Sequence, residues 1–313
     1  MASKSVKHAI IICGPTASGK SALATKIAKE INGCIINSDS MQVYTDLEVI
    51  TSSPSTADKR EISHLLYNFV DSNTQYSVAN YIDDAKKAIV ISLKNNYVPI
   101  FTGGTGMYIN ALINGISSIP KIPKEIRLEA EEIIKKKGLG NLYQELEILD
   151  KNTAKILNKN DSQRIIRAYS VKKFTGNSIL SYRNLSKKSP LLNISTTIFY
   201  MKPEREFLYK SCNDRFVSFI ENGAIEEIES FLKTHQDVNC GPTAAIGFQE
   251  LKSYIRHEIS IEAAIALAQT KTRQYAKRQN TWFKNQLKHK NQIIEFSSKS
   301  EFLMKISNIR FDF

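Results

Sequence analysis

Gly14-Pro15-Thr16-Ala17-Ser18-Gly19-Lys20-Ser21 matches in full the spacing of a phosphate loop, a glycine followed after four residues by Gly-Lys-Ser. An apolar run, Ala9–Cys13, precedes it as a buried strand, and Ala22-Leu23-Ala24-Thr25-Lys26-Ile27-Ala28 follows as a helix. Glycines let backbone N–H groups turn inward, and the helix N-terminus adds the positive end of its dipole, so the loop binds an anion. Lys20 is placed to reach the terminal phosphates and Ser21 to hold Mg²⁺. A second reactive group is Asp39, just past the apolar run Cys34–Asn37, where a carboxylate could take a proton from an incoming nucleophile; an equal alternative is the N-cap of a helix. A third segment, Gly103-Gly104-Thr105-Gly106-Met107-Tyr108, reads as a tight turn that lets backbone approach a ligand, or as a plain helix entry.

What must position these residues is a parallel sheet. The first 115 or so residues alternate short apolar strands (Ala9–Cys13, Cys34–Asn37, Leu66–Val70, Val98–Thr102) with helical patterns at Ser21–Glu30 and Ser77–Asn95. Ligands of such sheets bind at the carboxyl ends of the strands, where all three motifs fall. After Gly115 the pattern changes. Lys124–Lys137, closed by Gly138, then Leu142–Leu149, then Gln163–Phe174, capped by Asp161 or Ser162 and ended by Gly176, form a helical insertion over residues 116–190. Ser195–Met201 returns to the sheet as a strand, and helices follow from Glu204 to the tail. The expected fold is therefore α/β, a P-loop NTPase-like parallel sheet with helices on both faces (residues 1–115 and 191–313) and a helical insertion domain.

The 313 residues carry a net charge of +12 and are 42% apolar, so the chain has enough material for a core and its balance favours a polyanionic partner, with a lysine-rich composition bias as the alternative source of the charge. Cys13, Cys34, Cys212 and Cys240 form no C-x-x-C pair and read as buried thiols of a reducing compartment. With no apolar stretch of membrane-spanning length and no signal peptide, a cytoplasmic protein that binds no membrane is expected, and, with no oligomer signal standing out, a monomer. The strongest later strand ends in glycines rather than the acid that supports Mg²⁺ in hydrolytic phosphate-loop proteins, with Asp71 the one rival. This pattern points to a transferase whose phosphate is a leaving group.

Together the segments resemble the tRNA dimethylallyltransferase (tRNA isopentenyltransferase) family. The resemblance rests on the phosphate loop, on Asn37-Ser38-Asp39-Ser40-Met41-Gln42-Val43-Tyr44 and on Gly103-Gly104-Thr105-Gly106-Met107-Tyr108. Asn160-Asp161-Ser162-Gln163-Arg164-Ile165-Ile166-Arg167-Ala168, Ala245-Ile246-Gly247-Phe248-Gln249-Glu250 and Thr272–Phe283 follow in the family's order. It implies transfer of a dimethylallyl group from dimethylallyl diphosphate to N6 of adenosine 37 in the anticodon stem-loop of tRNA, with Mg²⁺. The loop, Gly14 to Ser21, would then hold the diphosphate, with Ser21 on the metal. Asp39, Thr105 and Arg215 match catalytic positions. Asp39, Ser40, Met41, Gln42, Thr105, Arg127, Gln163, Arg164, Ile165, Ile166 and Arg167 match tRNA-contacting ones. A small-molecule kinase and a transferase acting on free adenine nucleotide are the rivals.

The late helix adds Lys271, Arg273, Lys277, Arg278, Lys284, Lys288 and Lys290 with no acid between Glu262 and Glu295. Tyr275, Trp282 and Phe283 interleave, and read more as core anchors than as base-stacking groups. The chain departs from the family at Ile50-Thr51-Ser52-Ser53-Pro54, which lacks the usual glycine and lysine, at the single His64, at Asp161-Ser162 and at Gln249.

Overall fold

A computed structural model describes residues 7–184, 188–235, 241–287, 293–297 and 301, with the side chains of residues 183, 184 and 293 excepted. Cys240, Lys288 and Lys290 lie outside the described residues. In chain order the elements are β1 (His8–Cys13), α1 (Lys20–Ile31), β2 (Gly33–Asn37), α2 (Glu48–Thr51), α3 (Thr56–Glu61), β3 (His64–Leu65), α4 (Val78–Lys94), β4 (Val98–Gly103) and α5 (Gly106–Asn114). Then come α6 (Lys124–Lys137), α7 (Leu139–Leu149), α8 (Lys151–Ile156), α9 (Ser162–Thr175), β5 (Ser195–Met201), α10 (Arg205–Glu221), α11 (Ala224–Thr234), α12 (Phe248–Ile255), α13 (Ile261–Gln286) and β6 (Ile293–Phe296). None of the described helices is long and apolar enough to cross a membrane.

Two compact units result, Met1–Ile113 with Ser189–Phe313, and Asn114–Lys188. The first is built on a six-stranded sheet in the order β3-β2-β4-β1-β5-β6, every pair parallel. Buried parallel strands need apolar residues on both faces, and β1 (His-Ala-Ile-Ile-Ile-Cys) supplies them. Ile10 and Ile12, with Ile35 and Ile100 of neighbouring strands, pack against Leu23, Ala24 and Ile27 of α1. Ile11, Ile36 and Phe101, which alternate with them, are equally inaccessible, so the opposite face is covered as well. A second apolar cluster joins α10 to α13 through Phe216, Ile228, Phe231, Phe248, Leu251 and Ala264.

Pairing of β1 with β4 ends at Cys13↔Gly103, and β2 runs beside β4 to Asn37↔Thr102. The phosphate loop, the Asp39 segment and the glycine-rich turn therefore leave the sheet at one level, side by side. Gly103 is a packing requirement. A Cβ there would sit 2.2 Å from the carbonyl carbon and oxygen of Ser38, so a side chain would force β2 and β4 apart where the site begins.

The second unit is helical among its described residues. α6, α7, α8 and α9 enclose Ala130, Leu142, Leu146, Ala154, Ile165, Ala168 and Tyr169. Asp161 caps α9, accepting from the Arg164 N–H at 3.1 Å, and Gly176 ends the helix with φ at +70°. Asp150 caps α8 through the Thr153 N–H, and Tyr143 donates to the Ala154 carbonyl at 2.9 Å, which closes the bundle around α8.

Two strand expectations need correction. Leu66–Val70 is not a strand: the chain is paired at His64–Leu65, and then Leu66 and Asn68 take φ of +63° and +49°. The Asn68 side chain fixes that turn by donating to the Tyr44 carbonyl at 2.9 Å. The tail after α13 is not wholly helical either, because Ile293–Phe296 joins the sheet beside β5. Phe296 enters the same core as Ile10 and Phe199.

Replacing Gly103 by alanine is expected to lower stability by about 3 kcal/mol through overpacking. The measurement is the urea midpoint at unchanged slope.

Candidate active site

The phosphate loop begins where β1 ends. Gly14 has φ of +151° and passes so close to β5 that a Cβ would stand 2.5 Å from the Met201 carbonyl oxygen. Gly19, with φ of +87°, turns the chain into α1. Lys20 folds back over the loop and donates to the Pro15 carbonyl. Arg215 of α10 reaches the same loop, donating to Thr16 Oγ1 at 2.7 Å. Burial, followed by the charge of Arg215, pulls the Lys20 ammonium down to a pKa of about 8, and burial likewise lowers Arg215. Two part-buried cations thus meet at one loop, and α1 has no acid in its first turn. The Ser18 hydroxyl is buried in this loop without a hydrogen-bond partner. A multiply charged anion answers all three conditions.

A metal held at this loop would share the oxygens of a bound phosphate. No group of three or more His, Cys, Asp or Glu suited to a metal occurs among the described residues. Mg²⁺ shared with phosphates needs one or two protein ligands, and Ser21, exposed on the first turn of α1, fits that role.

Asp39 follows β2 by two residues. Asn37 holds it in place, accepting from the Asp39 N–H at 2.7 Å and donating to its carbonyl at 2.9 Å. Asp39 Oδ1 accepts from the Met41 N–H at 2.9 Å, and no helix begins there, so the alternative of a helix N-cap is set aside in favour of a local turn. Oδ2 has no hydrogen-bond donor among the described residues. The charge of Asp39 acts on Lys20, Arg215 and Tyr275, which puts the carboxylate within electrostatic reach of the cationic loop.

Around Asp39 the backbone is pinned from several sides. The Ser38 N–H donates to the Thr102 carbonyl, and Ser38 Oγ bonds the Tyr81 hydroxyl at 2.6 Å. Tyr81 stacks on Tyr108 with ring centres 3.9 Å apart. Thr105 donates its N–H to the Ser38 carbonyl, and its hydroxyl accepts from the Ser40 N–H at 2.9 Å. The Thr105 side chain therefore shapes the Asp39 loop. The glycines of this turn admit protein rather than ligand: a Cβ on Gly104 would meet Gln279 at 2.4 Å, and one on Gly106 would meet the Trp282 ring.

A cavity of about 370 Å³ opens between these parts. Thr16, Asp39 and Arg215 give it a polar end, while Ile50, Phe216, Phe219 and Ile246 give it an apolar wall. Ser40 and Met41 line it too. Gln42 turns away and donates to the carbonyls of Thr51 and Ser52 at 3.1 and 2.7 Å. The atypical stretch Ile50–Pro54 is braced by that bond and by Glu227, which accepts from the N–H groups of Val49 and Ile50.

In the helical unit, Gln163, Arg164 and Arg167 are exposed on α9. Ile165 is corrected: it is completely buried in the core of that unit, so its side chain is not available to tRNA, and Ile166 is partly buried against the same core. Arg127 is engaged by Glu131 at 2.8 Å, one turn along α6. Asp71 is exposed and closes a turn on the Asn73 N–H, beyond the edge strand β3.

The basic run on α13 divides. Lys271 pairs with buried Glu250, and Arg273 donates to Asn213 at 2.6 Å, whereas Lys277, Arg278 and Lys284 are exposed. Phe283 is a core residue beside Tyr200, and Tyr275 and Arg278 line the cavity. Cys13, Cys34 and Cys212 are buried free thiols. Residue reading took Tyr275 as a core anchor, Arg278 as part of a basic run and Cys212 as a buried thiol, without placing them at this cavity, and gave no role to Gln279, which connects two loops of the site. Their only local signal is a place on a basic or amphipathic helix.

A family model described as IPP transferase matches residues 42–286. A tRNA dimethylallyltransferase of Rickettsia rickettsii is 41% identical over 302 residues, covering 96% of this chain and 83% of that protein. Among solved structures, the full-length tRNA isopentenylpyrophosphate transferase of Bacillus halodurans superposes with a TM-score of 0.67 at 29% identity, covering 96% of this chain and 95% of that one. A eukaryotic dimethylallyltransferase acting on tRNA superposes with a TM-score of 0.80 at 26% identity, covering 96% of this chain and 77% of that one. With an anion loop, a carboxylate and an apolar-walled cavity arranged on a fold shared with these enzymes, the chain belongs to the IPP transferase family.

Proposed function

We propose that the chain transfers the dimethylallyl group of dimethylallyl diphosphate to N6 of adenosine 37 of tRNA, releasing diphosphate. The observation that carries this reading is a cavity lined at once by Thr16 of the phosphate loop, by Arg215 and by Asp39. The loop amides, Lys20 and Arg215 bind the diphosphate and stabilise the charge that grows on it as the C1–O bond breaks. The electron pair of that bond leaves with the diphosphate, and the N6 lone pair forms the new bond to C1. An exocyclic adenine amine is a weak nucleophile because its lone pair is delocalised into the ring. Asp39 Oδ2 takes the N6 proton, which restores a neutral amine. The apolar wall of Ile50, Phe216 and Phe219 suits the isoprenoid and keeps water from the allylic carbon. Ser21 would hold Mg²⁺, which when bound supplies further neutralisation of the diphosphate.

The adenosine must leave its stack to reach a cavity of this kind. Ser40 and Met41 meet it at the lining. Gln163, Arg164 and Arg167 on α9, Arg127 on α6, and Lys277, Arg278 and Lys284 on α13 offer donors for tRNA phosphates. Thr105 acts by holding the Ser40 backbone.

The decisive assay supplies labelled dimethylallyl diphosphate, Mg²⁺ and an unmodified anticodon stem-loop with three consecutive adenosines. Wild-type protein is expected to label the stem-loop, and Asp39→Ala to do so about 10³-fold more slowly. Label from [γ-³²P]ATP on a small molecule, with none on the stem-loop, would establish a kinase instead.

Lys20 supplies a pH prediction. Only its protonated form attracts diphosphate, so the affinity of the ligand-free protein for inorganic diphosphate falls as pH rises through about 8. Its folded value lies below the ordinary 10.5, so between the two the unfolded chain binds more protons and ligand-free stability rises with pH. Lys20→Met is expected to abolish diphosphate binding by calorimetry without lowering the ligand-free melting temperature. Replacing both Arg164 and Arg167 by alanine is expected to raise the KM for tRNA about tenfold and flatten its salt dependence, leaving the KM for dimethylallyl diphosphate unchanged.

A further inference from the structure

Gln279 lies on α13, 263 residues from Thr16 of the phosphate loop, and is only 6% exposed. It makes two hydrogen bonds to backbone groups of two different loops. Its Oε1 accepts from the Thr16 N–H at 2.8 Å, and its Nε2 donates to the Gly104 carbonyl at 2.8 Å. One partner is a donor and the other an acceptor, so the carboxamide has a single workable orientation.

The location gives these bonds their meaning. The ladder between β1 and β4 ends at Cys13↔Gly103. One residue further, the two chains are no longer paired, and Gln279 is inserted there. Gly104 has no Cβ at the point where one would lie 2.4 Å from Nε2 and 3.4 Å from the Gly14 carbonyl oxygen, so the amide and both loops fit only because that residue is glycine.

On one side of the amide, Thr16 also receives Arg215. On the other, the residue after Gly104 is Thr105, which holds Ser38 and Ser40 on either side of Asp39. The chain of contacts runs from the anion loop, through Gln279, to the loop of the carboxylate.

We propose that Gln279 is a positioning residue for the transfer. Its carboxamide fixes the separation between the diphosphate seated on the phosphate loop and the Asp39 carboxylate that takes the N6 proton. This rests on the reaction assigned above. Gln279 itself does not line the cavity. Its removal should therefore leave anion binding in place and slow the chemical step, because small displacements of reacting groups are costly in rate.

The test uses the full chain with Gln279→Met, which keeps the length of the side chain without its polar atoms, and Gln279→Glu, which keeps the acceptor for Thr16 and loses the donor for Gly104. Calorimetry with inorganic diphosphate counts competent loops, and kcat is expressed per diphosphate-binding site, so misfolded molecules drop out of the comparison. The expected result is a kcat per site about 100-fold below wild type in both variants. The KM for dimethylallyl diphosphate and the affinity for inorganic diphosphate should stay within about threefold of wild type. A wild-type kcat per site in either variant overturns the proposal, as does a loss confined to the number of sites, which marks a packing role alone. Failure of the wild type to label the stem-loop overturns the assigned reaction itself, and with it any role of Gln279 in that reaction.

Discussion

Two part-buried cations gathered at one loop, Lys20 and Arg215, are the constraint on which the site depends. Burial disfavours the charge of both, and Arg215 further disfavours that of Lys20, so holding them depends on the scaffold around them. Lys20 is carried by α1 and fastened to Pro15. Arg215 is carried by α10, which is anchored in the apolar cluster of Phe216, Ile228 and Phe248, and fastened to Thr16. The excess charge makes the loop suited to an anion. Asp39 offsets part of it at a distance, without an ion pair to either cation.

The carboxylate is placed by different means. Asn37, Ser38 and Ser40 around it are held through their backbone or short polar groups by Thr102, Tyr81 and Thr105. These bonds require β2 and β4 to approach closely, which the missing side chain of Gly103 permits. The outcome is a carboxylate fixed by the sheet beside a cationic loop fixed by the helices, with the Gln279 carboxamide spanning them. The stretch Ile50–Pro54, atypical in sequence, is held by Gln42 and Glu227 and contributes Ile50 and Thr51 to the cavity. Its own hydrogen bonds give it a defined shape without the glycine and lysine usual there.

Much of this architecture was legible locally. β1, β2, β4 and β5 announce themselves as apolar runs ended by turn residues, and α4, α6 and α9 by caps at Ser77, Gly138 and Asp161. The misreadings have one cause, which is that local pattern does not report long-range partners. Leu66–Val70 has the composition of a strand, but Asn68 is drawn into a turn by the Tyr44 carbonyl. Ile293–Phe296 is a strand because β5 offers an open edge. Ile165 shares a motif with exposed arginines, yet the 3.6-residue period of α9 turns it inward.

The division between what sequence and tertiary structure decided follows from the range of the forces involved. Spacing within a few residues determines the phosphate loop, because its conformation is made by its own glycines and the helix that follows, and this is enough to identify an anion site. Alternating apolar strands and helices determine the parallel sheet, and hence that Asp39 and the glycine-rich turn emerge near that loop. Only the folded chain decided that Arg215 would join Lys20, that the glycines of the turn would admit Gln279 and Trp282, and that Thr105 would shape the Asp39 loop. These contacts join residues tens to hundreds of positions apart. They are selected by burial, which leaves each polar group to find the partner that the packed core brings within reach.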